Sequence, residues 1–177
     1  MAIAVRPDIC RKVGIKSERD LLEIYPQGSI YEPTLKDGLQ GLEIDPTQRN
    51  YLLMSSVKSS AYEILKSIPK NPSRPIGVGN IDPDWTSDFN LVRASWDHPS
   101  PTLTQMGQQG GGGGIHHPDE DRVFTTDELK RLMGLPDDFR LTGTFNQKAE
   151  RCGRMVTPPL YKHLSRSIYE KVILPSR

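Results

Sequence analysis

Arg122-Val-Phe-Thr-Thr-Asp-Glu-Leu-Lys-Arg-Leu-Met-Gly-Leu-Pro-Asp-Asp-Phe139 and, shortly after it, Gly153-Arg-Met-Val-Thr-Pro-Pro159 carry most of the information in this chain. In the first stretch Thr125 stands three residues before Glu128. That spacing predicts a capping box: the hydroxyl accepts from the amide three residues on, and the carboxylate reaches back to the threonine amide. Leu129, Leu132 and Met133 then form a buried face, and Gly134 ahead of Pro136 terminates the helix. The second stretch runs into a last helix at Pro158-Pro159, with Leu160, Leu164, Ile168 and Val172 at four-residue spacing.

Upstream, Ala2-Ile-Ala-Val5 is a short apolar run that predicts one buried strand in need of a partner sheet. Thr34 with Asp37 predicts another helix start, followed by Leu35, Leu39 and Leu42. Asp45-Pro46 predicts the cap of a longer helix whose apolar face is Leu53, Val57, Ala61, Ile64 and Ile68, ended by Pro69. Residues 69–121 lose helical periodicity and are dense in Pro, Gly, Asn, Asp and Ser. They predict irregular structure, with Phe89–Arg93 and Thr102–Thr104 as its strand-like pieces. The glycine run Gly110–Gly114 lacks the strand, helix and Lys-Ser/Thr of a phosphate cradle and reads as a flexible loop.

The 177 residues suffice for one domain or two small lobes. No apolar run approaches a membrane span, and the start is too short for a signal peptide. Cys10 and Cys152 lie far apart without C-x-x-C spacing, which disfavours a disulfide framework or cysteine-rich zinc site and fits a reducing compartment. The net charge of +1 is unevenly spread: residues 122–177 hold 11 Lys/Arg against 6 Asp/Glu. A basic tail can serve phosphates, but a solvated helix face gives the same count.

Together the two C-terminal stretches resemble the ninth and tenth motifs of DNA cytosine-5 methyltransferases, whose usual forms are R-x-L-T-x-R-E-x-x-R-L-Q-G-F-P-D-x-F and G-N-x-V-x-P-P. Pro99-Ser-Pro-Thr-Leu-Thr104, His117-Pro118 and Arg122 follow the order seen at the end of that family's target-recognition region. Ile3–Asp8 is similar to the strand after the eighth motif, whose arginines would precede Met1. The chain departs from the pattern at Arg154, where the family usually has Asn, and at Lys130–Met133.

The family reaction needs a cysteine thiolate that adds to the sixth carbon of cytosine, normally in a Pro-Cys-Gln loop beside a catalytic Glu. The base must also be flipped from the duplex. Cys10 follows Ile9 and Cys152 follows Arg151; there is no Glu-Asn-Val and no Phe-x-Gly-x-Gly loop. The resemblance therefore implies no catalytic residue in this chain. It implies that Gly153, Arg154, Met155 and Val156 close one side of an S-adenosyl-L-methionine pocket. It also implies DNA contacts from Arg93, Thr102, Leu103, Thr104 and Gln105, with Gln108 and Gln109 nearby and Arg122 on a phosphate. His116-His117 lacks further ligands at metal spacing, and Trp85 and Trp96 read as packing residues rather than base stackers.

The expected fold is α/β: a C-terminal fragment of a Rossmann-like methyltransferase with a small irregular target-recognition lobe. Its divisions fall at 1–70 for the end of the catalytic sheet, 71–121 for the lobe, and 122–177 for the returning helices. The expected function is the C-terminal part or small subunit of a DNA cytosine-5-methyltransferase, inactive alone. Its partners would be double-stranded DNA and a catalytic chain with the Pro-Cys-Gln loop, in a prokaryotic or phage-encoded cytoplasmic setting of restriction-modification type. A non-catalytic DNA-binding remnant and a decayed fragment are the alternatives.

Overall fold

Four helices begin in the same way, and each start is written locally. In the computed structural model, which describes residues 3–26, 28, 32–58, 62–81, 84, 91–104 and 114–177, Ser17, Thr34, Thr125 and Thr144 each cap a helix. Each accepts from the amide three residues on, and the side chain of that residue returns to the cap amide. The helices are α2 (Glu18–Leu22), α3 (Leu35–Leu39), α6 (Thr126–Leu132) and α7 (Phe145–Arg154). The others are α1 (Pro7–Val13), α4 (Pro46–Val57), α5 (Tyr62–Ser67), α8 (Pro158–Ile168) and α9 (Leu174–Ser176), with a π turn at Tyr169–Ile173 between the last two. At the end of α6, Gly134 adopts φ 73, so that the Leu135 amide returns to the Lys130 carbonyl at 2.9 Å.

Three two-residue strands, β1 (Ile76–Gly77), β2 (Val92–Arg93) and β3 (Ile115–His116), form one sheet in that order. β1 pairs antiparallel with β2, placing Ile76 opposite Arg93; β2 pairs parallel with β3, placing Val92 opposite Ile115. The architecture is thus helices with a small mixed sheet, compatible with an α/β protein.

The chain divides into two units, residues 1–31 with 156–177 and residues 32–155. The reason lies in the core: Leu35, Ala94, Ile115, Phe124, Leu129, Met133, Ala149 and Cys152 share one buried cluster, so α3, α6 and α7 belong with the sheet. A second cluster, Leu65, Ile68, Val78 and Leu91, joins α5 to the sheet side. In the other unit Ile24, Leu164 and Val172 are buried, and the Ser167 hydroxyl donates to the Ile24 carbonyl at 2.5 Å.

Several expectations need correction. Ile3–Val5 forms no strand, because no described residue pairs with it; Ala2 lies outside the described residues. The stretch after it is helical instead, with Pro7 in the first turn of α1 and Gly14 at φ 77 after it. The helix from Pro46 buries Leu52, leaving Leu53 only half-buried and Val57 57% exposed. Polar anchors decide this rotation: Gln48 accepts from the Thr126 amide and Arg49 pairs with Glu120, which turns the face of residues 48, 49 and 52 inward. Ala61 lies outside the described residues. Thr102–Thr104 is not a strand, and of Phe89–Arg93 only Val92–Arg93 is one, residues 89 and 90 being outside the described set. In α8, Leu160 is 49% exposed and Ser167 is buried in its stead, since an exact four-residue stripe drifts around a 3.6-residue helix.

Candidate functional site

α6 begins with Thr125 and Thr126 at the centre of a charged network, and its capping carboxylate does two jobs. Glu128 Oε2 accepts from the Thr125 amide (2.6 Å) and from Arg122 Nη1 (2.7 Å), while Oε1 accepts from Arg122 Nη2 (3.0 Å). The same Arg122 donates Nε to Glu120 (2.5 Å), and Glu120 also receives Nε and Nη2 of Arg49 from α4. Burial pushes the Glu120 carboxyl up, but hydrogen bonds from Arg49 and Arg122 outweigh it and hold the group down at about 2. Burial lowers the Arg122 pKa, and its bonds to Glu128 and Glu120 more than restore it.

Arg93 on β2 forms a parallel clamp. Its Nη2 donates to Asp121 (2.7 Å) and the Leu65 carbonyl (2.9 Å), and its Nη1 to the His117 carbonyl (3.1 Å). Lys70 approaches Asp121 at 3.5 Å. Arg93 and Arg122 are both 0% exposed. Both guanidiniums, expected from the sequence to meet DNA, pair inside the protein along the segment from 117 to 122, with the buried Nε of Arg93 left without a hydrogen-bond partner. Sequence reasoning missed the acidic partners Glu120, Asp121 and Glu128, although the dense Asp119-Glu-Asp-Arg122 run was a signal of local pairing.

The other expected DNA-contacting residues fall differently. Thr102 and Thr104 are exposed, while Leu103 between them packs against the core cluster that contains Phe124 and Leu129. An apolar anchor flanked by two outward hydroxyls results, without strand pairing. Gln105, Gln108 and Gln109 lie outside the described residues, as does Trp85. Trp96 is half-buried and donates its indole N–H to Asp119 (2.7 Å), with its ring edge-on to His117 at 5.1 Å.

The histidine pair is internal. Burial, then the nearby Arg93, lowers His116 to about 4, and burial with Arg122 lowers His117. Among the described residues no group of three or more His, Cys, Asp or Glu is placed to hold a metal ion. Burial raises the Cys152 thiol, and Cys10 turns its sulfur to the Val5 carbonyl at 3.6 Å. A raised pKa makes Cys152 a poor thiolate nucleophile at neutral pH.

The segment expected to meet a cofactor is not a turn. Gly153 and Arg154 complete the last turn of α7, Met155 is its extended cap, and Val156 is exposed and opens the other unit. The capping pair Thr144–Gln147 marks the start of this helix in the sequence. Gln147, Glu150, Arg151, Arg154 and Met155 line an open cleft in which Arg154 pairs with Glu150 at 2.9 Å. Four polar side chains and one methionine on an open surface do not by themselves fit an adenosyl group; they make one wall at most.

Residues 16–170 match the family described as C-5 cytosine-specific DNA methylase, and the chain belongs to that family. DNA (cytosine-5)-methyltransferase 1B of Oryza sativa subsp. japonica is 36% identical over 81 residues, which is 45% of this chain and 5% of that protein. DNA (cytosine-5)-methyltransferase 2 of Arabidopsis thaliana is 34% identical over 85 residues, 48% of this chain and 6% of the relative. For DNA (cytosine-5)-methyltransferase 1 of Gallus gallus the figures are 34% over 92 residues, 51% and 6%. The aligned stretch therefore covers about a twentieth of the length of these relatives.

Proposed function

We propose that this chain supplies the target-recognition segment and the ninth- and tenth-motif helices of a DNA cytosine-5-methyltransferase, with a catalytic part bearing the Pro-Cys-Gln loop and the main S-adenosyl-L-methionine site completing the enzyme. Double-stranded DNA is the substrate in this reading. The observation that carries it is the seating of Leu103 on the core beside α6, which leaves Thr102 and Thr104 outward. Threonine methyl and hydroxyl groups suit thymine methyls and phosphates. Arg93 and Arg122 act from within: they hold the backbone that carries the reading residues, and touch no base.

Neither cysteine suits the nucleophile's task. Cys152 is buried with a raised pKa, and Cys10 sits in a helix without a Pro-Cys loop. Gly153–Val156 contribute one wall of the cofactor site, next to a catalytic part that supplies the rest. The exposed Leu160, Tyr161, Ile173 and Leu174 of the last helices leave apolar surface for that part to cover.

The test is methyl transfer from tritiated cofactor to mixed-sequence DNA, by this chain alone and after reconstitution with a family catalytic part. The chain alone should transfer nothing. In the reconstituted enzyme, Thr102→Ala and Thr104→Ala should change the profile of methylated sequences, a lost base contact costing about 1–3 kcal/mol. Arg154→Ala should change cofactor affinity alone. Transfer by the isolated chain that Cys10→Ala or Cys152→Ala abolishes would overturn the reading, as would a shift of target sequence caused by Arg154→Ala alone.

A further inference from the structure

Three consecutive acidic residues send their side chains to three different places. Asp119 accepts from the Trp96 indole (2.7 Å), Glu120 from Arg49 and Arg122, and Asp121 from Arg93. Such divergence requires the backbone between them to be held firmly. The Asn71 amide donates to the Pro118 carbonyl at 2.8 Å and the His117 amide to the Arg122 carbonyl at 2.9 Å, and two amides of the run itself converge on His117, whose Nδ1 accepts from Asp119 at 3.2 Å and from Glu120 at 3.1 Å.

This geometry dictates the protonation state. A nitrogen that accepts from two amides carries no hydrogen, so the ring proton sits on Nε2, which lies 3.7 Å from Glu128 Oε1. The ring edges meet Trp96 and Phe124 in T-shaped contacts. We propose that His117, as its neutral Nε2–H tautomer, is the positioning residue for residues 118–122, and that protonation at Nδ1 releases that segment. The proposal goes beyond the recognition role and does not depend on it.

The charged surroundings are mixed. Arg122 opposes protonation of the ring, whereas Glu128 on α6 and Glu120 and Asp119 in the segment favour it. Arg93 from β2 holds the His117 carbonyl, and Arg49 from α4 acts through its pairing with Glu120. Burial is the largest influence and lowers the pKa. Beyond charge, an imidazolium would bring a third N–H donor against two existing ones. Release of the Asp119 amide would free the carboxylate that holds Trp96, and release of the Glu120 amide would loosen the bridge between Arg49 and Arg122.

The test uses the full chain with nitrogen-15 labelling. A long-range proton–nitrogen spectrum at neutral pH should report the Nε2–H tautomer for His117; the Nδ1–H tautomer overturns the proposal. Asp119 and Glu120 amide exchange and the Trp96 indole resonance are then followed from about pH 7.5 to about pH 5. In the parent protein these signals should move together with the His117 titration. His117→Asn keeps an acceptor close to the Nδ1 position and cannot titrate, so it should preserve the neutral-pH pattern and abolish its pH dependence. His117→Gln places its amide near Nε2 instead, and should speed exchange of both amides about tenfold at neutral pH. A native pattern in His117→Gln, or a parent-like titration in His117→Asn, refutes the assignment. Should either variant unfold, the tautomer and the parent titration decide.

Discussion

Glu128→Ala is the substitution from which this architecture has most to lose. Glu128 is 1% exposed, and its carboxylate takes both Arg122 Nη1 and Nη2 as well as the Thr125 amide. Removing it leaves Arg122, itself 0% exposed, with Glu120 as its remaining carboxylate partner. Breaking a buried pair by deleting one partner costs about 3–5 kcal/mol, and the lost cap is a part of the same penalty. Glu128→Gln keeps one oxygen for the Thr125 amide and should cost about 2 kcal/mol. Removing both charges in Arg122→Met/Glu128→Met leaves no unpaired buried charge, though the Thr125 amide still loses its acceptor, so the double variant should be more stable than the sum of the single effects by about 2 kcal/mol. Urea unfolding followed by tryptophan fluorescence is the assay. Trp85 and Trp96 both fall within residues 32–155, so the signal reports that unit. Glu128→Ala should lower the midpoint by roughly 2 M. A cost below about 1 kcal/mol, or strict additivity in the cycle, would refute the account of Arg122 as an internal brace.

Two further outcomes follow from burial and backbone geometry. His116 has its pKa lowered from 6.5 to about 4, so its contribution to stability is fully present above 6.5 and is lost as pH falls towards 4, because only the unfolded chain takes up the proton in that window. The slope should be about 1.4 kcal/mol per pH unit, and denaturant unfolding of His116→Phe should flatten it; an unchanged slope would count against the buried neutral ring. Gly143 adopts φ 101 just before the Thr144 cap, and a Cβ there would strike the Gln147 amide that completes the capping box. Gly143→Ala should therefore destabilise by roughly 1–2 kcal/mol in the same urea assay, and a neutral result would contradict the left-handed turn.

Local chemistry was legible from residue order alone. The Thr34–Asp37 and Thr125–Glu128 pairs announced α3 and α6, and Gly134 announced the end of α6, because a cap involves atoms within one turn of the chain. The same rule applied to Ser17–Asp20 and Thr144–Gln147 would have revealed α2 and α7, and with α7 the helical setting of Gly153 and Arg154. The family, too, was readable from residue order, through the resemblance of the two C-terminal stretches.

Matters that depend on distant partners were decided only by the tertiary structure. Which face of α4 turns inward was settled by Gln48 and Arg49 meeting Thr126 and Glu120, more than seventy positions away, and not by apolar spacing. Arg93 and Arg122 looked like residues for a phosphate or a guanine edge, as any unpaired arginine does in a sequence. The fold brings Asp121, Glu120 and Glu128 to them, and a guanidinium removed from water turns most of its donors to carboxylates and carbonyls nearby. The tautomer of His117 belongs to the same class: two amides arriving at one ring nitrogen decide where the proton sits, and no one-dimensional pattern records their approach.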